Sequence, residues 1–174
     1  MLDQNELLNL LEDLESENVE RTRSTTDTDK FGQAICSFAN DLSNRRQPGY
    51  LIVGANDDGS LSGLKVTDAL LKDLGGIRSD GNILPQPTLT VSKFNLPEGE
   101  VAVVKVYPSD LPPVRYKGRV YIRLGPRKGI ANEQDERVLS ERRVSMARTF
   151  DARPCGEASM DDQSKSSCRD DTSR

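Results

Sequence analysis

Two hydrophobic rhythms alternate along this chain, one helical and one extended. Asp3 and Glu6 have the spacing of a capping box, and Leu7, Leu8, Leu10, Leu11 and Leu14 then recur at helical intervals, which predicts a helix ending near Leu14. Residues 17–23 read as extended. Thr25, Thr26, Asp27 and Thr28 make a turn and cap, after which Phe31, Ala34, Ile35, Phe38, Ala39 and Leu42 line one face of an amphipathic helix. Ser43 to Gly49 is a basic polar loop. Tyr50 to Val53 is the short apolar run that a central strand needs. The tight turn Asn56-Asp57-Asp58-Gly59 follows, then a short strand from Ser60 to Leu64.

Thr67 caps a helix carrying Leu70, Leu71 and Leu74, which should break at Gly75-Gly76. Leu89, Val91 and Phe94 mark a strand, Glu100 to Tyr107 another, and Tyr116 to Leu124 one or two more. A last helix spans Glu133 to Arg148, with Val138, Leu139 and Met146 as core positions. From Phe150 onward apolar residues thin out, and 151–174 reads as a disordered polar tail. The expected fold is α+β: a mixed sheet from strands near 17, 50, 60, 89, 101 and 119, packed on helices near 31 and 67. Helices at 1–14 and 131–150 flank the 15–130 body, or mediate self-association as a homo-oligomer.

Composition narrows the chemistry. With 34% hydrophobic and 5% aromatic residues, the chain is too lean for all of it to be packed. No run is long and apolar enough to predict a membrane span, and the acidic start is unlike a signal region, so a cytoplasmic location is expected. Histidine is absent, which removes Ser-His-Asp and Cys-His pairs and the usual zinc sites. The three cysteines lack framework spacing, and Cys36 falls on the apolar face of its helix. The net charge of −4 conceals a division. Residues 1–20 carry seven acids and no base, whereas residues 21–150 carry 20 bases against 15 acids. The body is basic.

Three ordered stretches carry a resemblance. The first is Glu15-Ser16 with Val19-Glu20 and Ser24, and the second is Ala34 with Ser37-Phe38-Ala39-Asn40. The third is Tyr50-Leu51-Ile52-Val53-Gly54, then Asn56-Asp57-Asp58-Gly59 and Gly63-Leu64. With Val103 to Pro108, Pro113-Val114 and Val120 to Gly125, they resemble the AlbA-like domain of Schlafen proteins, bacterial transcriptional regulators and RecG-helicase-related proteins. Phe150 to Pro154 resembles the stretch that leads, in longer relatives, into a C-terminal half, so the chain reads as a detached N-terminal module. There are departures. Thr22, between Arg21 and Arg23, stands where the family has a lysine, and Leu42 to Gly49 replaces a glycine-rich link.

The resemblance implies nucleic-acid binding, to DNA or RNA, and the residues offer a surface for it. From Leu111 to Ile130 the chain holds Arg115, Lys117, Arg119, Arg123, Arg127 and Lys128 and no acid. If Arg119, Tyr121 and Arg123 alternate on a strand, two guanidiniums flank one aromatic ring, for phosphates and a stacked base. Arg45 and Arg46 extend that surface, and Arg21 and Arg23 are weaker additions. Binding of this kind needs no cofactor. The resemblance also implies an alternative, a Schlafen-type endoribonuclease in which Glu15, Glu20 and Asp58 (or Asp57) hold Mg²⁺ or Mn²⁺. A protein-interaction module is the third reading. Gly54, Gly59 and Gly63 match neither a Walker loop nor a dinucleotide fingerprint. Asn40 is expected to cap its helix or pin a neighbouring loop.

Overall fold

Short side-chain contacts set the helix starts. The Glu6 N–H donates to Asp3 (2.8 Å) and the Asp3 N–H to the Glu6 carboxylate (2.9 Å), closing the capping box of α1 (Gln4–Glu12). Asp27 accepts from the Lys30 N–H (2.9 Å) to start α2 (Thr28–Asn40), and Thr67 from Leu70 (3.2 Å) to start α3 (Asp68–Gly76). The computed structural model describes residues 2–151. Its strands are β1 (Val19–Thr22), β2 (Gly49–Val53), β3 (Ile83–Leu84), β4 (Leu89–Leu96), β5 (Gly99–Val106), β6 (Arg115–Tyr116), β7 (Tyr121–Leu124) and β8 (Arg127–Ile130), followed by α4 (Glu133–Asp151). The tail predicted over 151–174 lies outside the described residues except for Asp151, which is the last residue of α4. No described helix is long and apolar enough to cross a membrane.

The main sheet has the order β1-β2-β5-β4. β1 and β2 run parallel, joined through α2, and the remaining pairs are antiparallel. Its centre is apolar on both faces because both are covered. Leu51, Val53, Ala102, Val104 and Val106 pack beneath α2 and α3, while Ile52, Val101 and Val103 meet Leu7 and Leu11 of α1. Leu7 and Leu11 of α1 are therefore spent on the sheet, while Leu8 and Leu14 stay exposed.

The α+β class holds, but two expected strands leave the sheet. Residues 60–64 contribute a single bridge, Leu61 to Ala55, and the 116–124 segment splits into β6, paired with β3, and β7, paired with β8. Tertiary contact explains the second case. β7 lies between α2, against whose core Tyr121 packs, and α4, whose Leu139 meets Ile122 and Val120. Leu42 falls past the end of α2 and joins this smaller cluster. Of the expected α4 core positions only Leu139 is buried; Val138 is exposed and Met146 half-exposed. α3 ends at Gly76, as the glycine pair predicts, and the chain continues directly into a 3₁₀ turn, Ile77–Ser79, with Leu74 and Ile77 buried on either side. Two further strands do not show in the hydrophobic pattern: β3 is only two residues long, and β8 is short and polar.

A close approach makes one helical glycine necessary. A Cβ on Gly32 would fall within the Tyr116 ring, itself buried and fixed by donation from its hydroxyl to Asp29 (2.6 Å). Gly32→Ala is expected to destabilise the fold by about 1–3 kcal/mol through overpacking. The check is urea unfolding, with the midpoint falling at constant slope; an unchanged midpoint would contradict this packing.

Candidate nucleic-acid interface

The basic run does not form one open face. Arg123 points inward and is 7% exposed, its guanidinium 5.1 Å from the centre of the Phe38 ring. It donates to Glu20 (2.7 Å), to the Val19 carbonyl (3.3 Å) and to the Pro126 carbonyl (2.6 Å). Arg123 is therefore a structural tie between β1 and the β7–β8 turn, contrary to the expected phosphate contact. Tyr121, on the same strand face, packs against the α2 core and is only half-exposed. It offers no open ring for stacking. Arg119 precedes β7, in the turn bridged to Tyr116, and is exposed. The expected Arg-Tyr-Arg face is therefore not formed.

Arg21 is also structural. It is buried and donates to the Leu10 (2.6 Å) and Asp13 (2.7 Å) carbonyls at the end of α1, where burial holds its pKa below the usual arginine value. Arg142 does the same for α2, donating to the carbonyls of Asp41 (2.7 Å) and Leu42 (2.9 Å). Asn40 pins loops more than it caps. Its amide donates to the Val114 (2.9 Å) and Tyr121 (2.8 Å) carbonyls, and its oxygen accepts from the Val114 N–H (2.7 Å). Cys36 is core, its thiol pushed up to about 11 by burial.

Several other cations are already paired. Lys117 holds Asp29 (2.6 Å), Arg115 holds Glu136 (2.7 Å), Arg45 holds Glu17 (2.5 Å) and Arg46 holds Asp110 (3.2 Å). The hydrogen bonds from Lys117 and Tyr116 lower the Asp29 pKa, and Asp29 in turn raises that of Lys117. Asp29 lies in the first turn of α2, whereas the Arg45 and Arg46 N–H groups donate to Asp41 at its other end. A helix of this length spans roughly 20 Å, so Arg45 and Arg46 do not join Lys117 in one patch.

What stays open is a smaller group. Arg23, Arg119 and Arg127 are exposed with no acidic partner among the described residues. Lys128 stands opposite Arg123 in the hairpin, half-buried. Its pKa is lowered, first by desolvation and then by Lys30 and Arg123, against the pull of Glu20 and Asp27. Glu20 is already shared between Arg123 (2.7 Å) and Lys30 (3.8 Å). Positive charge is in excess here. Lys30 escaped the sequence reading because it looks like an ordinary lysine beside an acidic helix cap.

The acidic candidates do not converge. Glu15 is exposed in the turn before β1, and Glu20 is taken by its two cations. Asp58 accepts from the Ser60 hydroxyl (2.6 Å) and N–H (3.0 Å), bonds that lower its pKa and close the turn. Asp57, also exposed, lines a polar cleft with Arg23, Ser24, Asp27 and Lys30. No group of three or more acidic or cysteine side chains among the described residues is placed to hold a metal ion.

The family model "Schlafen, AlbA_2" matches residues 15–132, more than half of the chain. The chain belongs to the Schlafen AlbA_2 family. No curated protein matches it. Among solved structures, the domain is similar to the DIP2311 protein from Corynebacterium diphtheriae (18% identity, TM-score 0.47), covering 67% of this chain and 25% of that one. It is also similar to the N-terminal domain of a RecG-related protein from Nitrosomonas europaea (22% identity, TM-score 0.43), covering 59% of this chain and 72% of that one. The chain thus spans about a quarter of the DIP2311 protein.

The Schlafen AlbA_2 family is nucleic-acid related. The divalent ion that the resemblance implied does not fit this Schlafen AlbA_2 domain. Its three carboxylates are separately engaged or apart, and the one nearest the basic cluster is neutralised by an arginine and a lysine.

Proposed function

We propose that this domain is the nucleic-acid-binding module of a transcriptional regulator, holding DNA chiefly through its phosphate backbone. The observation that carries the reading is the positive charge along the β7–β8 hairpin: Arg119 and Arg127, exposed and without an acidic partner among the described residues, with Lys128 beside a carboxylate already shared by two other cations. Membership of a nucleic-acid-related family supports it. A phosphate at Lys128 would supply the counter-charge this corner lacks. The cations that carry this reading lie on the β7–β8 hairpin and the turn before it and not on a helix, so the contacts position the domain more than they read bases.

The test is fluorescence-anisotropy titration of labelled duplex DNA and structured RNA at two salt concentrations, with Mn²⁺ in a parallel sample and the probes run on a gel. Binding to an intact DNA probe is expected, with a slope of log K on log salt of roughly −3 to −4 for three or four phosphate contacts. No binding to either probe at low salt overturns the reading. RNA shortened only when Mn²⁺ is present replaces it with a nuclease.

Lys128 carries a second prediction. Because its folded-state pKa is lowered, the unfolded chain holds this proton more tightly, and the charged lysine costs stability that returns as pH rises toward its ordinary value of 10.5. Lys128→Met is expected to keep or raise Tm near neutral pH while weakening DNA binding. A lower Tm with unchanged binding would make the lysine structural.

A further inference from the structure

The β7–β8 hairpin closes through a two-residue turn, Gly125 and Pro126, with Gly125 at φ +61°. Leu124, at the end of β7, is 65% exposed, and Pro126 and Arg127 are exposed beside it. Leu124 and Arg127 stand opposite each other in register and so share one face of the ribbon. A single exposed leucine needs no explanation on an ordinary loop. This loop is different because it is held from below. The buried Arg123 donates to the Pro126 carbonyl (2.6 Å) while gripping the Val19 carbonyl and Glu20 of β1. The apolar tip is thus fastened to the main sheet and flanked by cations.

We propose that this tip is a wedge for the DNA minor groove, with Leu124 and Pro126 pressing into a base step and Arg127 at the phosphates beside it. The inference rests on the nucleic-acid reading above and says which element makes the contact and which target it fits. Apolar side chains that enter a minor groove partly unstack a step and kink the duplex, an outlay recovered through added contacts. A rigid wedge loses less entropy on insertion than a mobile one. The narrow minor groove of B-form DNA, about 6 Å wide, suits a two-residue tip, whereas that of A-form RNA is wide and shallow. Pyrimidine–purine steps are the easiest to open, so a TA step is the preferred target.

The experiment uses the full chain and two labelled duplexes. One has a central TA step with 2-aminopurine beside it, and the other has an A-tract at the same position. The wild-type protein is expected to favour the TA duplex and to raise 2-aminopurine fluorescence on binding. Leu124→Ser should lower affinity about tenfold and remove the fluorescence rise, with salt slope and Tm unchanged, and Leu124→Met should retain both signals. Wild-type affinity and fluorescence in Leu124→Ser would overturn the wedge, as would wild-type binding with no fluorescence change or with equal affinity for the two duplexes. If the wild type binds neither duplex nor RNA at low salt, the nucleic-acid reading itself fails, a result distinct from those.

Discussion

Arg123→Ala is expected to cost about 3–5 kcal/mol of stability and to lower Tm by roughly 10 °C or more, a larger effect than any other arginine substitution in the basic run. The side chain is 7% exposed and makes three hydrogen bonds, to Glu20, to β1 backbone and to the β7–β8 turn. Its removal leaves Glu20, also largely buried, with only Lys30 at 3.8 Å. It also uncovers the Phe38 ring. The loss combines an unpaired buried carboxylate with an emptied site, and these reinforce each other. Thermal melts of Arg123→Ala, Glu20→Ala and the double variant give the coupling directly. The double variant should be less destabilised than the sum of the two singles. A melt of Arg123→Ala within about 2 °C of wild type would contradict this account.

The second large effect falls on binding and leaves the fold intact. The triple variant Arg119→Ala/Arg127→Ala/Lys128→Ala is expected to lose about a hundredfold in DNA affinity near 0.1 M salt and to flatten the salt slope by about three. Its Tm should hold, because Arg119 and Arg127 have no partner among the described residues and the charged form of Lys128 is disfavoured by desolvation. The contrast is Arg115→Ala/Lys117→Ala. Both of those cations are committed to Glu136 and Asp29, so a phosphate must compete with a carboxylate already in place. That pair should lose less affinity than the triple variant. Equal losses would mean that the ion pairs open freely and that charge count alone governs binding.

Much of the fold was legible in the residues. The capping box at Asp3 and Glu6, the amphipathic face of α2, the apolar run of β2 and the β-rich run of β5 all formed where periodicity placed them. Each is a local matter, since side-chain direction follows a fixed repeat within one element. The mistakes came where partners are distant in sequence. Leu61 could have extended a strand, yet it meets its neighbour in a single bridge. The 116–124 segment could have been one more strand of the main sheet, yet it splits between two small two-stranded sheets.

The site was legible as a charge count and illegible as a surface. An acid-free segment from Leu111 to Ile130 implies a basic region, and that follows from composition alone. Which of its cations remain free depends on acids elsewhere in the chain: Asp29 from the start of α2, Glu20 from β1 and Glu136 from α4 each remove one. The same holds for strand alternation in β7. Alternation implied that Tyr121 and Arg123 share a face, and the docking of α2 turned that face inward. By itself, then, the sequence determined the helices, the central strands, the family and the sign of the charge, because these depend on neighbours along the chain. Tertiary structure alone decided which arginines hold the protein together and which stay open to a partner. Pairing and burial are set by distances in space between residues as far apart as 20 and 123, and no local repeat encodes them.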